Sequence, residues 1–374
     1  MKKTNLYSAV AVAALTVAFA GNAKAEINPI NGNDLFFVSG HAEAGIYKNE
    51  YWNNETEVMQ NTRDDVQFNQ GVIAVGKKLD KARTFDVGGR IDYMFGTDAR
   101  MVQSDGLERN SKTKNGERGW GTGDYFSAVS QAYIEAGYDM FTLKVGKMLN
   151  PMGHESIYSP DRFFYSLSGG FTYRPATVSG AIVNWDSSCG NYNVYAGYIS
   201  AMDQTFDSGD NNGIIAGFGV KLTDQLGVKA GAIYEKHDQT DPNQHNTSAN
   251  LVVDYEISSR LNYTFEVTYA QNKTTIVGLK ARTYSYNNEL VYELTGDWAL
   301  GGRFEYTHEY ENVTKDSVDM YSFVLGANYN PSELDWLTIK PEVRYDRYGG
   351  ERMFVDGNGK KDQISAGVSA MVKF

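Results

Sequence analysis

The chain carries one cysteine, Cys189, in 374 residues. No internal disulfide can form, so the fold must hold without covalent staples. Cys189 sits in the turn-like stretch Ser187-Ser188-Cys189-Gly190-Asn191 and reads as incidental, with intermolecular pairing as the alternative. Proline is scarce, at 7 residues. Beyond residue 25 no run approaches the ~18 consecutive apolar residues of a membrane-spanning helix. Basic charge is in deficit, with 35 Lys+Arg against 46 Asp+Glu and a formal net charge of −11. An acidic chain has no general field for nucleic acid. The five histidines, His41, His154, His237, His245 and His308, show no ligand spacing. His154-Glu155 lacks the second histidine of a zinc-binding helix. Asp207–Gly213 and Asp356–Asp362 lack the full calcium ladder with its terminal glutamate. Asn54-Glu55-Thr56 and Asn246-Thr247-Ser248 are sequons by pattern only. No metal or other cofactor is expected.

What is present points to sheet. The chain has 26 Tyr, 18 Phe and 38 Gly, and aromatic residues favour strands and membrane interfaces. Residues 1–25 read as a secretory signal peptide: Lys2 and Lys3, an apolar core from Leu6 to Phe19, and the small-x-small site Ala23-Lys24-Ala25. Its removal with three lysines would make the chain more acidic still. An uncleaved N-terminal anchor is the alternative. The remainder, 26–374, reads as one domain, with no shift in composition and no repeat of fixed period.

About sixteen segments alternate with period two. Phe85, Val87, Ile91, Tyr93 and Phe95 oppose Asp86, Arg90 and Asp92. Trp298, Leu300, Phe304 and Tyr306 oppose Arg303, Glu305 and Thr307. In the last segment, Ile364, Ala366, Val368, Ala370, Val372 and Phe374 form one apolar face. A soluble sandwich alternates as well, but the connections separate the two cases. They run long and short in turn: the stretch after Asn49 is long, Asp80–Arg83 short, Thr97–Asp124 long, Tyr138–Met140 tight and Asn150–Phe171 long. Longer loops at one end and short turns at the other are the pattern of an outer-membrane up-and-down antiparallel β-barrel. The mean hydropathy of −0.45 does not oppose this, because lipid-facing and lumen-facing residues average out. The terminal Phe374 resembles the sorting signature that barrel-assembly machinery reads on the last strand.

Eight strands fill their interior with side chains, whereas sixteen at ~40° tilt give a backbone radius of roughly 15 Å and a channel. The expected inward set is charged. Its basic members are Arg90, Lys144, Lys221, Lys229, Arg303, Lys340 and Arg344. Its acidic members are Asp92, Glu135, Asp254, Glu256, Glu266, Glu289, Glu293, Glu305, Glu342 and Asp346. The acidic excess favours weak cation preference; ordinary cross-strand pairing is the alternative.

The stretch Phe141–Phe171 has Gly146-Lys147 at a strand end, then Gly153-His154-Glu155, then Tyr165-Ser166-Leu167-Ser168. It is similar to the "porin-2" type of bacterial β-barrel porins, with Leu167 where that family usually has arginine between the two serines. The resemblance implies a porin in the outer membrane of a Gram-negative bacterium, passing small hydrophilic solutes and ions. By analogy with general diffusion porins, residues 150–171 would be an inward-folded constriction loop, with Glu155 and Asp161 facing the strand-borne arginines. The partners implied are the lipid bilayer with its lipopolysaccharide, the assembly machinery and solute, with a homotrimer as open as a monomer. Two other readings compete: a structural or adhesive barrel with a blocked lumen, and a barrel hydrolase using His41 or His308.

Overall fold

The computed structural model describes residues 35–49, 65–109, 119–205, 211–237, 244–273, 280–312, 315–350 and 360–374. The expected signal peptide lies outside them, as do parts of the two acidic stretches near residues 207 and 356.

The wall begins with β1 (Phe36–Asn49), β2 (Gln67–Lys77), β3 (Phe85–Gly96), β4 (Tyr125–Tyr138) and β5 (Phe141–Leu149). It continues through β6 (Thr177–Asp186), β7 (Tyr192–Met202), β8 (Asn212–Lys221), β9 (Leu226–His237), β10 (Gln244–Ser258) and β11 (Leu261–Lys273). The last five are β12 (Lys280–Glu293), β13 (Trp298–Glu311), β14 (Ser317–Tyr329), β15 (Leu337–Tyr348) and β16 (Asp362–Lys373). Every strand pairs antiparallel with the next, and β16 returns to β1 in the register His41–Lys373 to Asn49–Ser365. Closure leaves no unpaired edge. The two-residue piece Gly121–Thr122 pairs beside the start of β4.

The alternation is the physical cause of the wall. On β3, Ile91 is 57% exposed while its neighbour Asp92 is fully buried. Period two sends these side chains to opposite faces. The outward set makes an apolar belt that would be unstable in water and matches lipid. Aromatic pairs tie neighbouring strands along it, with Trp298 and Tyr329 rings 4.6 Å apart and Phe304 and Phe323 rings 4.9 Å apart. The tight β4–β5 turn is made by Asp139 and Met140, and Asp139 takes φ +52°. Left-handed turn residues match the twist of the flanking strands.

The lumen is not empty. Two connections at the long-loop end fold into it. The described part of the β3–β4 connection buries a 3-10 turn, Asp98–Val102, against β4. The β5–β6 connection, residues 150–176, crosses the interior. Between them they build an apolar cluster inside the barrel from Ala99, Val102, Ile157, Leu167 and Phe171 with Val72 and Met94 of the wall.

Candidate channel and the loop inside it

The β5–β6 loop is pinned where it leaves the wall. Asn150 N donates to Ala176 O at 3.0 Å and Asn150 Nδ2 to Pro175 O at 2.9 Å, so both ends of the loop are clasped together. Gly153 then turns with φ +90°, and a Cβ there would lie 2.5 Å from the Arg174 guanidinium carbon. Only glycine satisfies both conditions. Arg174 crosses the neck of the loop and donates to the carbonyls of Met152, at 2.7 Å, and Glu155. Ser168 caps a single helical turn, Gly169–Thr172, its Oγ accepting from Phe171 N.

From this clasp the loop reaches the wall in many directions. On one side Glu43 of β1 accepts from Ser159 Oγ at 2.6 Å and from Arg162 at 3.2 Å. Gln70 of β2 donates to Ile157 O at 2.6 Å and accepts from Ser159 N. Asp92 of β3 accepts from Tyr158 Oη at 2.7 Å. Across the lumen, Arg303 of β13 donates to Glu155 at 2.8 Å and to Ser166 O at 3.0 Å. Glu305 accepts from Gly169 N at 2.6 Å and from Arg344 at 3.1 Å. Lys340 of β15 donates to Ser159 O and Arg162 O, and Glu342 accepts from Ser166 N. His154 lies 3.6 Å from Glu289 and 3.5 Å from Asp254. Met152 packs toward Gly231 of β9.

Alternation put the wall charges on the inner face, and the structure decides what they touch. Arg303, Glu305, Lys340, Glu342 and Arg344 are at most 3% exposed and lie beneath the loop. They bind its backbone and one another. Glu155 is buried against Arg303. Asp161 is instead exposed, with Arg90 and Lys340 as its electrostatic neighbours. Arg90 pairs with Asp92 at 2.7 Å, and Glu135 with Lys144 at 3.7 Å across β4 and β5. Leu167 offers no charge; its side chain joins the apolar cluster and its carbonyl accepts from Arg303. Phe374 pairs its backbone with Gly40 in both directions, at 2.8 and 2.9 Å, and its ring covers that glycine.

Sequence reasoning passed over Glu43, Gln70, Arg162, Arg174 and the buried pair Lys147–Glu108 at 3.0 Å. Glu43 was legible, because His41, Glu43 and Tyr47 share one face of a period-two segment. Arg162 and Arg174 sit in irregular chain, where no period reports direction.

Two cavities flank the loop. One, of about 690 Å³, opens among the short turns and is lined by residues of β4 to β10 with Pro151, Met152 and Gly153. The other, of about 610 Å³, lies at the long-loop end and is lined by Thr172 to Pro175 with residues of β9 to β14.

A closed sixteen-stranded barrel with a loop folded in after its fifth strand is a porin architecture, and comparison with known proteins agrees. The family model described as "Putative beta-barrel porin-2, OmpL-like" matches residues 36–374. The chain belongs to this family. The porin is thereby an outer-membrane protein of a Gram-negative bacterium. No curated protein matches its sequence. Among solved structures it is similar to the anion-selective porin from Comamonas acidovorans, with TM-score 0.57 and 11% identity over 91% of this chain and 99% of that one. It is similar to the outer membrane channel DcaP of Acinetobacter baumannii, with TM-score 0.57 and 12% identity over 90% and 96%. It is similar, too, to the trimer form of OmpT, an outer membrane protein of Vibrio cholerae, with TM-score 0.59 and 12% identity over 90% and 98%. At such identities the likeness concerns the fold.

Proposed function

We propose that this porin is a passive channel for small hydrophilic solutes and ions, throttled by the loop 150–176. One observation carries the reading: a vestibule with charged side chains in its lining opens on each side of a loop that charged side chains hold across the lumen. Solute would pass from one vestibule to the other along the loop, without covalent chemistry. In this reading Arg90, Asp92, Glu135 and Lys144 shape the short-turn side. Arg303, Glu305, Lys340, Glu342 and Arg344 set the loop's position, with Glu155 as its principal tie. Asp161 is the loop's exposed charge.

A catalytic role finds little support in the histidines. His41 is buried in the lumen against Gln70, at 2.9 Å. His308 alternates to the outer face, where Asp319 holds it at 2.8 Å. The two cannot serve one site. A second reading, a structural barrel with a closed lumen, draws on the loop's many wall contacts and the buried cluster around Leu167.

Single-channel recording on the refolded chain in a planar bilayer decides between them. Discrete conductance steps support the channel; a folded barrel without steps supports the closed one. We further propose that the assembly machinery engages β16 through Phe374, and that lipopolysaccharide meets the long-loop rim. A homotrimer would be tested by native mass in detergent.

A further inference from the structure

The two vestibules differ in charge. Among the described residues, the long-loop vestibule is lined by the carboxylates Asp203, Glu235, Glu309, Glu311 and Asp316. The basic residues of that lining are Arg174 and Arg282, two against five. The short-turn vestibule is lined by Lys78, Lys81, Lys144 and Lys229 against Glu135 and Asp186. Glu135 faces Lys144 at 3.7 Å, and the lining as a whole carries four lysines against two carboxylates. Each vestibule touches the loop, one at Met152 and Gly153 and the other at Thr172 to Pro175, and Arg174 spans between those two sets. The sign of the lining therefore reverses across the thickness of one loop.

We infer that the lumen is a charge-bipolar pore that rectifies ionic current. This rests on the channel reading above. The acidic half collects cations and the basic half anions. A voltage that drives cations inward from the long-loop end, and anions from the short-turn end, brings both species to the loop and raises conductance there. The opposite voltage draws both away and depletes it. The charged loop ties beneath Arg303 and Arg344 do not contribute, because they are paired and buried. Such a pore shows little net ion preference at zero current, since its halves select opposite signs.

The test is the current–voltage curve of single channels. Orientation in the bilayer is read on the same protein. The sole cysteine, Cys189, is exposed in the short turn between β6 and β7, so a membrane-impermeant maleimide added to one chamber labels it from that side only. At ionic strength about 0.1 M, where the screening length is about 10 Å, currents at opposite voltages should differ about two-fold or more. At about 1 M, where it is about 3 Å, the asymmetry should vanish. The larger current should flow when the long-loop side is positive. The double variant Lys144→Glu, Lys229→Glu should abolish the asymmetry and move the reversal potential toward cation selectivity. The double variant Glu311→Gln, Asp316→Asn should weaken it and move selectivity toward anions. Because the lysine variant alters one half and the acid variant the other, opposite shifts in reversal potential also exclude misfolding as their common cause. Equal currents at both polarities in low salt, with clear channel steps, would overturn the inference and leave the channel reading standing. No steps at all would overturn both.

Discussion

Arg303 shows how much one side chain can hold. Its guanidinium meets Glu155 of the loop, Glu305 beside it on β13 and the Ser166 carbonyl, with no solvent contact. Its removal takes the cation from Glu155, while Arg344 still meets Glu305; loss of one partner of a buried ion pair costs about 3–5 kcal/mol. Arg303→Ala should therefore lower the midpoint of guanidinium unfolding in detergent micelles. It should also raise the channel's open-state conductance as the loop loosens, whereas Arg303→Lys should recover part of each. A conductance unchanged by Arg303→Ala would show that the loop does not throttle the pore. Asp203 offers a second test. It lies just past β7, where burial pushes its carboxyl up to about 6 although Thr177 and Arg109 favour the ionised form. A carboxyl with a raised folded pKa binds its proton more readily in the native state than in the unfolded one. Stability should fall as pH rises from about 4 through about 6, and Asp203→Asn should flatten that slope. Unfolding midpoints across that range read the effect, and an unaltered slope in the variant would exclude Asp203 as its source.

At the scale of the element, strand and loop obey different rules. A strand position is decided by parity. Ile91→Arg places charge on the lipid face, near the middle of β3, and should cost about 2–4 kcal/mol in unfolding from lipid vesicles. The adjacent Asp92 is accepted because it faces inward and receives bonds from Tyr158, Gln131 and Arg90. The loop is decided by local geometry and by what it meets. Gly153→Val should break the clasp, because it requires both a strained φ and a collision with Arg174. The expected outcome is a folded, heat-modifiable barrel with noisier, larger current steps; quiet steps of unchanged size would count against the clasp. At the other end of the chain, Gly40 accepts the Phe374 ring at a spacing that leaves no room for a side chain. Phe374→Ala should reduce the amount of barrel assembled in cells more than it alters the stability of barrel already folded.

At the scale of the whole molecule, closure follows from sixteen strands that each pair with the next. That architecture was legible before any coordinates, because alternation names the faces and connection length names the ends. The same reasoning put Arg303, Glu305, Lys340, Glu342 and Arg344 on the inner face, and Glu155 in an inward loop against an arginine. It did not find that these groups are covered, nor that Asp161 points away from the cluster into solvent. Neither did it find Arg162, Arg174 or the buried turn Asp98–Val102 of the preceding connection. A loop has no period, and what its residues touch depends on strands more than a hundred positions away, as Glu155 and Arg303 illustrate.

The sequence by itself determined the wall: an up-and-down barrel of about sixteen strands, its lipid face, its lumen face and its long and short ends. Those are consequences of a two-residue repeat and of backbone pairing, both local in the chain. Only the tertiary structure decided the lumen. Whether an inward charge lines water or ties down a loop depends on which segments converge on it once the sheet has closed. The reversal of charge between the two vestibules arises the same way, from strand ends that are distant in sequence and are brought together only by the curvature of the barrel.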